Sequence, residues 1–278
     1  MTGKLFKLSA IGLIIVGITD FATFPVHAVS IEARVLSGDP APDTTAGVVY
    51  NRFSDLVINE LGHIAFNGFI AGPNVNGNNN NGIWSESSGN LSLIARRGQI
   101  APGTGGSAVF FALSKPLINS SGQTIFLGTL NGEGVNLNNY TGIWLGDSSN
   151  VNLVARGGDA IPAIGPGVAL DFNRFFESAV FNNAGEVIFA SAFSGIDLDG
   201  LSKTGIWSGG FGELSIVVKS GDQSPDEDPG IVYARTTSAA LNDAGHTAFR
   251  GSITSRDCLV DSLAGYGRML RVNVQVAG

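Results

Sequence analysis

Three loops bring oxygen-bearing side chains close together: Asn74-Val75-Asn76-Gly77, Asn136-Leu137-Asn138-Asn139 and Asp197-Leu198-Asp199-Gly200. Alternating Asp or Asn before a glycine is how a calcium loop begins, because that hard cation takes about six to eight oxygens and needs carboxylates among them. Only the third copy has two carboxylates, and none carries a trailing Glu at the expected distance. Asp197 and Asp199 are therefore the calcium candidates, set against the simpler reading of polar hairpin loops rich in turn formers. A second acidic set, Asp39, Asp159 and Asp222, recurs after a glycine at strand ends. Gathered on one face, these acids would form a rim for carbohydrate or cations. Bonded within their own turns before the following proline, they would only shape the chain. Gln99 takes the same place in another copy, so charge is not required there, and the turn role is favoured. The short run Asp226-Glu227-Asp228 reads as a solvated loop.

His63 and His246 each follow a turn glycine where Gln123 and Glu186 stand in other copies. A metal ligand or general base would not tolerate that exchange, so both read as turn residues. The sequence holds no Cys/His metal cluster, no G-x-S-x-G elbow, no H-E-x-x-H and no Walker loop. No catalytic residue and no organic cofactor is expected.

These side chains sit in a repeat of about 60 residues. Gly-Ile-Trp occurs at Gly82-Ile83-Trp84, Gly142-Ile143-Trp144 and Gly205-Ile206-Trp207, and these triplets hold all three tryptophans. N-x-x-G-x-x-x-F occurs at Asn59-Gly62-Phe66, Asn119-Gly122-Phe126, Asn182-Gly185-Phe189 and Asn242-Gly245-Phe249. The glycine-polar-proline turns keep the same register, and one three-residue insertion between Gly158 and Asn182 accounts for every departure from 60. Each unit contains four β-type segments, with alternating apolar residues and enriched Val, Ile, Phe and Trp. Asn-x-x-Gly suits the tight turn between the first two, since Asn bonds nearby backbone and Gly accepts positive φ. The expected fold is all-β, a propeller-like array of four-stranded repeats in which recurring Trp and Phe anchor the core. A linear β-solenoid and tandem small sheets remain open.

The expected layout is a signal peptide over 1–28, a repeat domain over 29–254 and a divergent tail over 255–278. Units fall near 39–98, 99–158 and 159–221, with a partial one at 222–254. Lys4, Lys7, the apolar run around Leu13-Ile14-Ile15-Val16 and Val26-His27-Ala28 form the leader pattern, with cleavage after Ala28. The run between Lys7 and Asp20 is too short for the ~20 residues of a bilayer span, so no membrane span is expected in the mature chain. Without residues 1–28, 14 Lys and Arg face 22 Asp and Glu, a formal charge of −8. An acidic chain without a basic cluster disfavours nucleic acid as a partner. The single cysteine, Cys258, rules out an internal disulfide. Glu32 to Asp39 matches the fourth strand of a unit, which would let the chain's start complete its last blade. The fourth unit lacks Gly-Ile-Trp: either Met269 to Val276 supplies its third strand, or the array is a shortened one.

With N-x-x-G-x-x-x-F, then Gly-Ile-Trp, then a strand ending Ala-Arg-x-Gly-Asp-x-x-Pro, residues 31–254 resemble exported bacterial proteins with tandem N-x-x-G-x-x-A-F repeats. Ala65-Phe66 and Ala248-Phe249 match that family's Ala-Phe pair, whereas Ile125 and Ile188 replace the alanine. Such proteins often carry a PEP-CTERM anchor, and no Pro-Glu-Pro motif, apolar span or basic end is seen here. The resemblance implies export and brings no activity with it. The expected function is a non-enzymatic binding or structural module at the bacterial surface, in the periplasm or in the matrix. Its partner is unassigned, with a glycan or cell-surface matrix the first candidates. The rival is a propeller-type enzyme on extracellular polysaccharide, which would need two carboxylates about 5–10 Å apart.

Overall fold

The computed structural model describes residues 32–87, 89–176, 179–195, 203–210, 213–225, 227–255 and 272–277. The chain divides into two units, residues 1–34 and 35–278, and the second holds the sheets. The leader pattern and Cys258 lie outside the described residues.

The first sheet runs β1 (Val49–Ile58), β2 (Ile64–Ala71), β3 (Asn81–Ser85) and β4 (Ser92–Arg96) in sequential antiparallel order. The second repeats it with β5 (Val109–Ile118), β6 (Thr124–Asn131), β7 (Thr141–Gly146) and β8 (Val151–Arg156). In the third sheet the first strand is split. Both β9 (Ala169–Phe176) and β10 (Val180–Phe181) pair with β11 (Val187–Ser194), followed by β12 (Lys203–Gly210) and β13 (Glu213–Lys219). The fourth holds β14 (Ile231–Leu241), β15 (Thr247–Ser255) and β16 (Val272–Ala277). The register recurs: Phe66 pairs with Trp84, Phe126 with Trp144 and Phe189 with Trp207. Phe249 pairs with Gln275, so β16 occupies the Gly-Ile-Trp place without a tryptophan.

All-β architecture and the four-stranded unit hold. Among the arrangements left open by the sequence, the structure shows tandem small sheets: the main packing joins first to second, second to third and third to fourth, and the series is not closed. The start of the chain departs from expectation. Residues 32–37 form no strand, and Pro40 instead bridges to Val49 at the start of the first sheet.

The Asn-x-x-Gly turn is where one repeat meets the next. Gly62, Gly122, Gly185 and Gly245 all adopt φ near +80°, which a Cβ would strain. The Asn oxygen accepts from the amide four residues on: His63, Gln123, Glu186 and His246 donate at 2.8–3.0 Å. That much the sequence suggests. The other half of the amide reaches across the repeat boundary. Asn59 Nδ2 donates to the Asn119 carbonyl at 2.9 Å, Asn119 Nδ2 to that of Asn182 at 2.9 Å, and Asn182 Nδ2 to that of Asn242 at 3.2 Å. One side chain thus closes its own hairpin and holds the following one. The next position adds a second rail, where the amides of Ser120 and Asn183 donate to Asn183 Oδ1 and Asp243 Oδ1.

Below this ladder the three interfaces differ. Between the first two sheets, buried Asn67 donates to the Leu113 carbonyl, and Thr124 Oγ1 donates to Ser85 Oγ at 2.8 Å. Between the third and fourth, the Thr236 amide donates to Thr204 Oγ1 at 2.7 Å. The core of the middle interface is apolar: Ile125, Ile143 and Val154 pack with Leu170, Phe172, Phe189 and Trp207, and Leu127 stands where Asn67 does, while at the exposed edge Asn173 Nδ2 donates to the Leu137 carbonyl. Burial is then its main support, at roughly 1.5–3 kcal/mol for each large side chain.

Asn119→Ala should cost about 2–3 kcal/mol, because it removes a buried cap and the tie to the Asn182 carbonyl, which keeps only its bond from the Gly185 amide. Asn242→Ala, at the exposed end of the series, should cost under about 1 kcal/mol. Urea unfolding of the two variants compares them directly.

Candidate functional site

The repeat offers one place where its own rules are broken, at the tryptophan of the third sheet. In the first two sheets a glycine lies under the indole ring. A Cβ added at Gly68 would meet Trp84 Cε3 at 2.8 Å, and one at Gly128 would meet Trp144 Cζ3 at 2.7 Å. The third copy, Phe189-Ala190-Ser191, puts a serine there. Ser191 has the Cβ and a hydroxyl as well, so Trp207 is not able to lie as its counterparts do. Two further changes make room for another pose: Leu170 replaces the ring of Tyr50 or Phe110, and Phe193 replaces Ile70 or Leu130.

The indole has turned over. Trp84 and Trp144 meet Gly82 and Gly142 with Cζ3 and Cη2, whereas Trp207 meets Gly205 with Cζ2 and Cε2, the side that carries Nε1. Trp84 and Trp144 stack on Phe66 and Phe126 at 16° and 15°, but Trp207 stands edge-on to Phe193 at 87°. Trp84 Nε1 donates to the Pro42 carbonyl at 3.2 Å and Trp144 Nε1 to that of Pro102 at 3.0 Å. Trp207 Nε1 and Ser191 Oγ are both buried without a hydrogen-bond partner.

The loop that would have received Nε1 also folds differently. Thr44 and Thr104 tie their turns by donating to Ala41 and Ala101 carbonyls at 2.6 and 2.8 Å. Ile164 has no hydroxyl, and there the backbone closes instead, with the Ile164 and Gly165 amides both directed to the Ile161 carbonyl. In the second repeat the same loop lies against its fourth strand, where a Cβ on Gly103 would stand 2.7 Å from Leu153 Cβ. In the third, a cleft of about 810 Å³ separates the β8 residues Asn152, Leu153 and Val154 from β13. Its remaining walls are Gly103, Asp159 to Ala163, Trp207 and Glu213 to Ile216.

Asp159 is the most perturbed carboxylate in this cleft. Burial pushes its carboxyl above the usual range, against the opposing pull of the Arg156 amide and guanidinium. Oδ2 accepts from that amide at 2.6 Å. The equivalent residues do the same turn-closing work: Asp39 for Leu36, Gln99 for Arg96 and Asp222 for Lys219, at 2.8–2.9 Å. The acid set thus caps its own turns, and a neutral glutamine suffices.

The loops before Gly-Ile-Trp spend their amides internally in the first two copies. Asn76 and Asn136 accept from Asn78 and Asn138 at 2.8 Å, and Asn79 and Asn139 accept from Asn76 and Asn136 at the same distance. Asp197 and Asp199 lie outside the described residues, and no group of three or more metal-binding side chains occurs among those described. His246 is exposed; His63 is half-buried with Nδ1 unpartnered. No described helix is long and apolar enough to cross a membrane. Sequence reasoning placed the tryptophans correctly in the core, where Trp84, Trp144 and Trp207 are all at most 1% exposed. It missed Ser191, although the signal was present in the third residue of Phe-x-Gly.

Comparison with known proteins gives a family. The profile of a family of unknown function, DUF7453, matches residues 23–163 and again 137–263. The chain belongs to this family, and the overlapping matches fit its repeats. No curated protein and no solved structure matches it.

Ser191→Ala should raise stability by about 1 kcal/mol, since it removes a buried hydroxyl that has no partner; chemical denaturation measures it. Asp159 holds its proton to higher pH in the folded chain than in the unfolded one. Its ionisation therefore erodes stability as pH rises through the raised folded value. Asp159→Asn keeps an acceptor and stays neutral, so it should melt above the parent at neutral pH. That advantage should fade as pH is lowered into acid, which a melting series across pH would show.

Proposed function

We propose that this member of the family is an exported, non-catalytic module that binds or builds structure outside the bacterial cytoplasm. The supporting observation is that the repeated polar residues serve the scaffold. The Asn amides close hairpins and hold the next repeat, while Asp39, Asp159, Asp222 and Gln99 cap turns. Repetition here serves stacking, as in other arrays where each unit is stabilised by its neighbour. The leader pattern over residues 1–28 supports export, as does the resemblance to exported N-x-x-G-x-x-A-F repeat proteins.

Expressed with its own leader in a Gram-negative host, the protein should be recovered outside the cytoplasm with Val29 as its first residue. N-terminal sequencing reads this, and a cytoplasmic product retaining Met1 would contradict export. Purified protein incubated with a polysaccharide panel should release no reducing ends above buffer. Sustained release would overturn the non-catalytic reading.

A further inference from the structure

From the cleft between the second and third repeats we infer a binding site for a neutral, polyhydroxylated ring, a sugar unit of a glycan chain. The inference rests on the module reading above and adds to it the place and the class of ligand. Four observations carry it.

The cleft has a definite structural origin. Ser191 displaces Trp207, Ile164 cannot tie the turn as Thr44 and Thr104 do, and the loop over β13 leaves a wider cleft than its counterpart over β8, where about 360 Å³ is open. Its volume, about 810 Å³, falls within the roughly 300–1,000 Å³ of small-molecule sites. The walls are mixed. Leu153, Ile161, Leu214 and Ile216 offer apolar surface to ring C–H groups, and Asp159, Asn152, Glu213 and Ser215 offer acceptors and donors to hydroxyls. Asp159 gives Oδ2 to the Arg156 amide, and its Oδ1 takes no hydrogen bond from a described residue, so a carboxylate oxygen stands available at the wall.

The lining also sets limits on the ligand. Among the described residues the lining contains no Lys, Arg or His, so an anionic group would meet two carboxylates and no cationic side chain in the wall itself, Arg156 beside Asp159 lying outside the lining. It has two carboxylates and no third metal-binding side chain, short of the oxygen set that calcium needs. A neutral ring with several hydroxyls satisfies both limits. The equivalent place between the first and second repeats is smaller, about 360 Å³, presents Gln99 in place of Asp159, and has its tryptophan, Trp144, tied to Pro102.

The test is calorimetric titration of the whole protein with neutral gluco-, manno- and N-acetylglucosamine oligosaccharides. Glucosamine oligomers serve as a cationic arm and uronic acid oligomers as an anionic one. The expected result is saturable one-to-one binding of at least one neutral oligosaccharide, and none of the uronic acid set. Ser215→Trp, whose ring would fill the cleft from its exposed rim, should weaken that binding at least tenfold with an unchanged melting temperature. Asp159→Asn, which keeps the turn cap, should weaken it severalfold and decides the matter if Ser215→Trp does not fold. Absence of binding to every neutral probe, or affinity unchanged in both variants, would overturn the cleft. Stronger binding of glucosamine oligomers than of any neutral probe would overturn the ligand class. The bound glycan is then recovered and weighed: an intact chain keeps the module reading, and a shortened one ends that reading whether or not the cleft binds.

Discussion

A single primary amide performs two tasks at every repeat boundary, and the stacking of the sheets depends on it. The oxygen of Asn59, Asn119 or Asn182 accepts from its own turn, and the nitrogen donates to the backbone of the next turn. Asp could do the first and not the second; Ser is too short to do both. Asn119 and Asn182 are buried, and a buried amide is costly unless both ends are satisfied, so the bond fixes register as well as adding energy. This explains why the turn asparagine recurs in all four repeats, where the core tryptophan recurs in three.

The interfaces beneath that ladder are not alike. The first and last boundaries carry buried polar ties, through Asn67 and through Thr204 with Thr236. The middle boundary has an apolar core below the ladder, with Leu127 in the place of Asn67 and a split strand, β9 and β10, facing it, and its side-chain tie from Asn173 to the Leu137 carbonyl lies at the exposed edge. It is also the boundary where Ser191 has overturned Trp207 and a cleft has opened. A polar tie demands close, directional approach; apolar side chains tolerate a wider gap. The boundary whose buried core lacks such a tie holds the wider cleft, about 810 Å³ against about 360 Å³ at the equivalent place of the first boundary.

Much of the fold was legible because periodic chemistry reports local structure. Alternating residues located the strands, Asn-x-x-Gly located the hairpin between the first two, and the lone tryptophan per repeat marked the core. The bond from Asn59 to Asn119 was not legible, since a spacing of 60 residues does not say that the two turns touch. Glu32 to Asp39 reads like a fourth strand by its residues, yet residues 32–37 lie in no strand, and Ser37, Gly38 and Asp39 meet the first sheet through hydrogen bonds to Tyr50 and Asn51 beside the bridge at Pro40. β16 was open in the sequence because Gln275 replaces the tryptophan that marks a third strand. The cleft was hidden for a different reason. Replacing Gly68 or Gly128 by Ser191 is visible in an internal comparison, but its effect depends on an indole within about 3 Å, and no residue pattern states that distance.

The central claim is that the turn asparagines bind one repeat to the next through their side-chain nitrogens. Hydrogen exchange of the asparagine side-chain amides, followed residue by residue by NMR, tests it most directly. The expected result is slow exchange at Asn59, Asn119 and Asn182, with fast exchange at Asn242, the exposed end of the series. Fast exchange at all four would contradict it and leave the turns as separate hairpins that merely lie side by side.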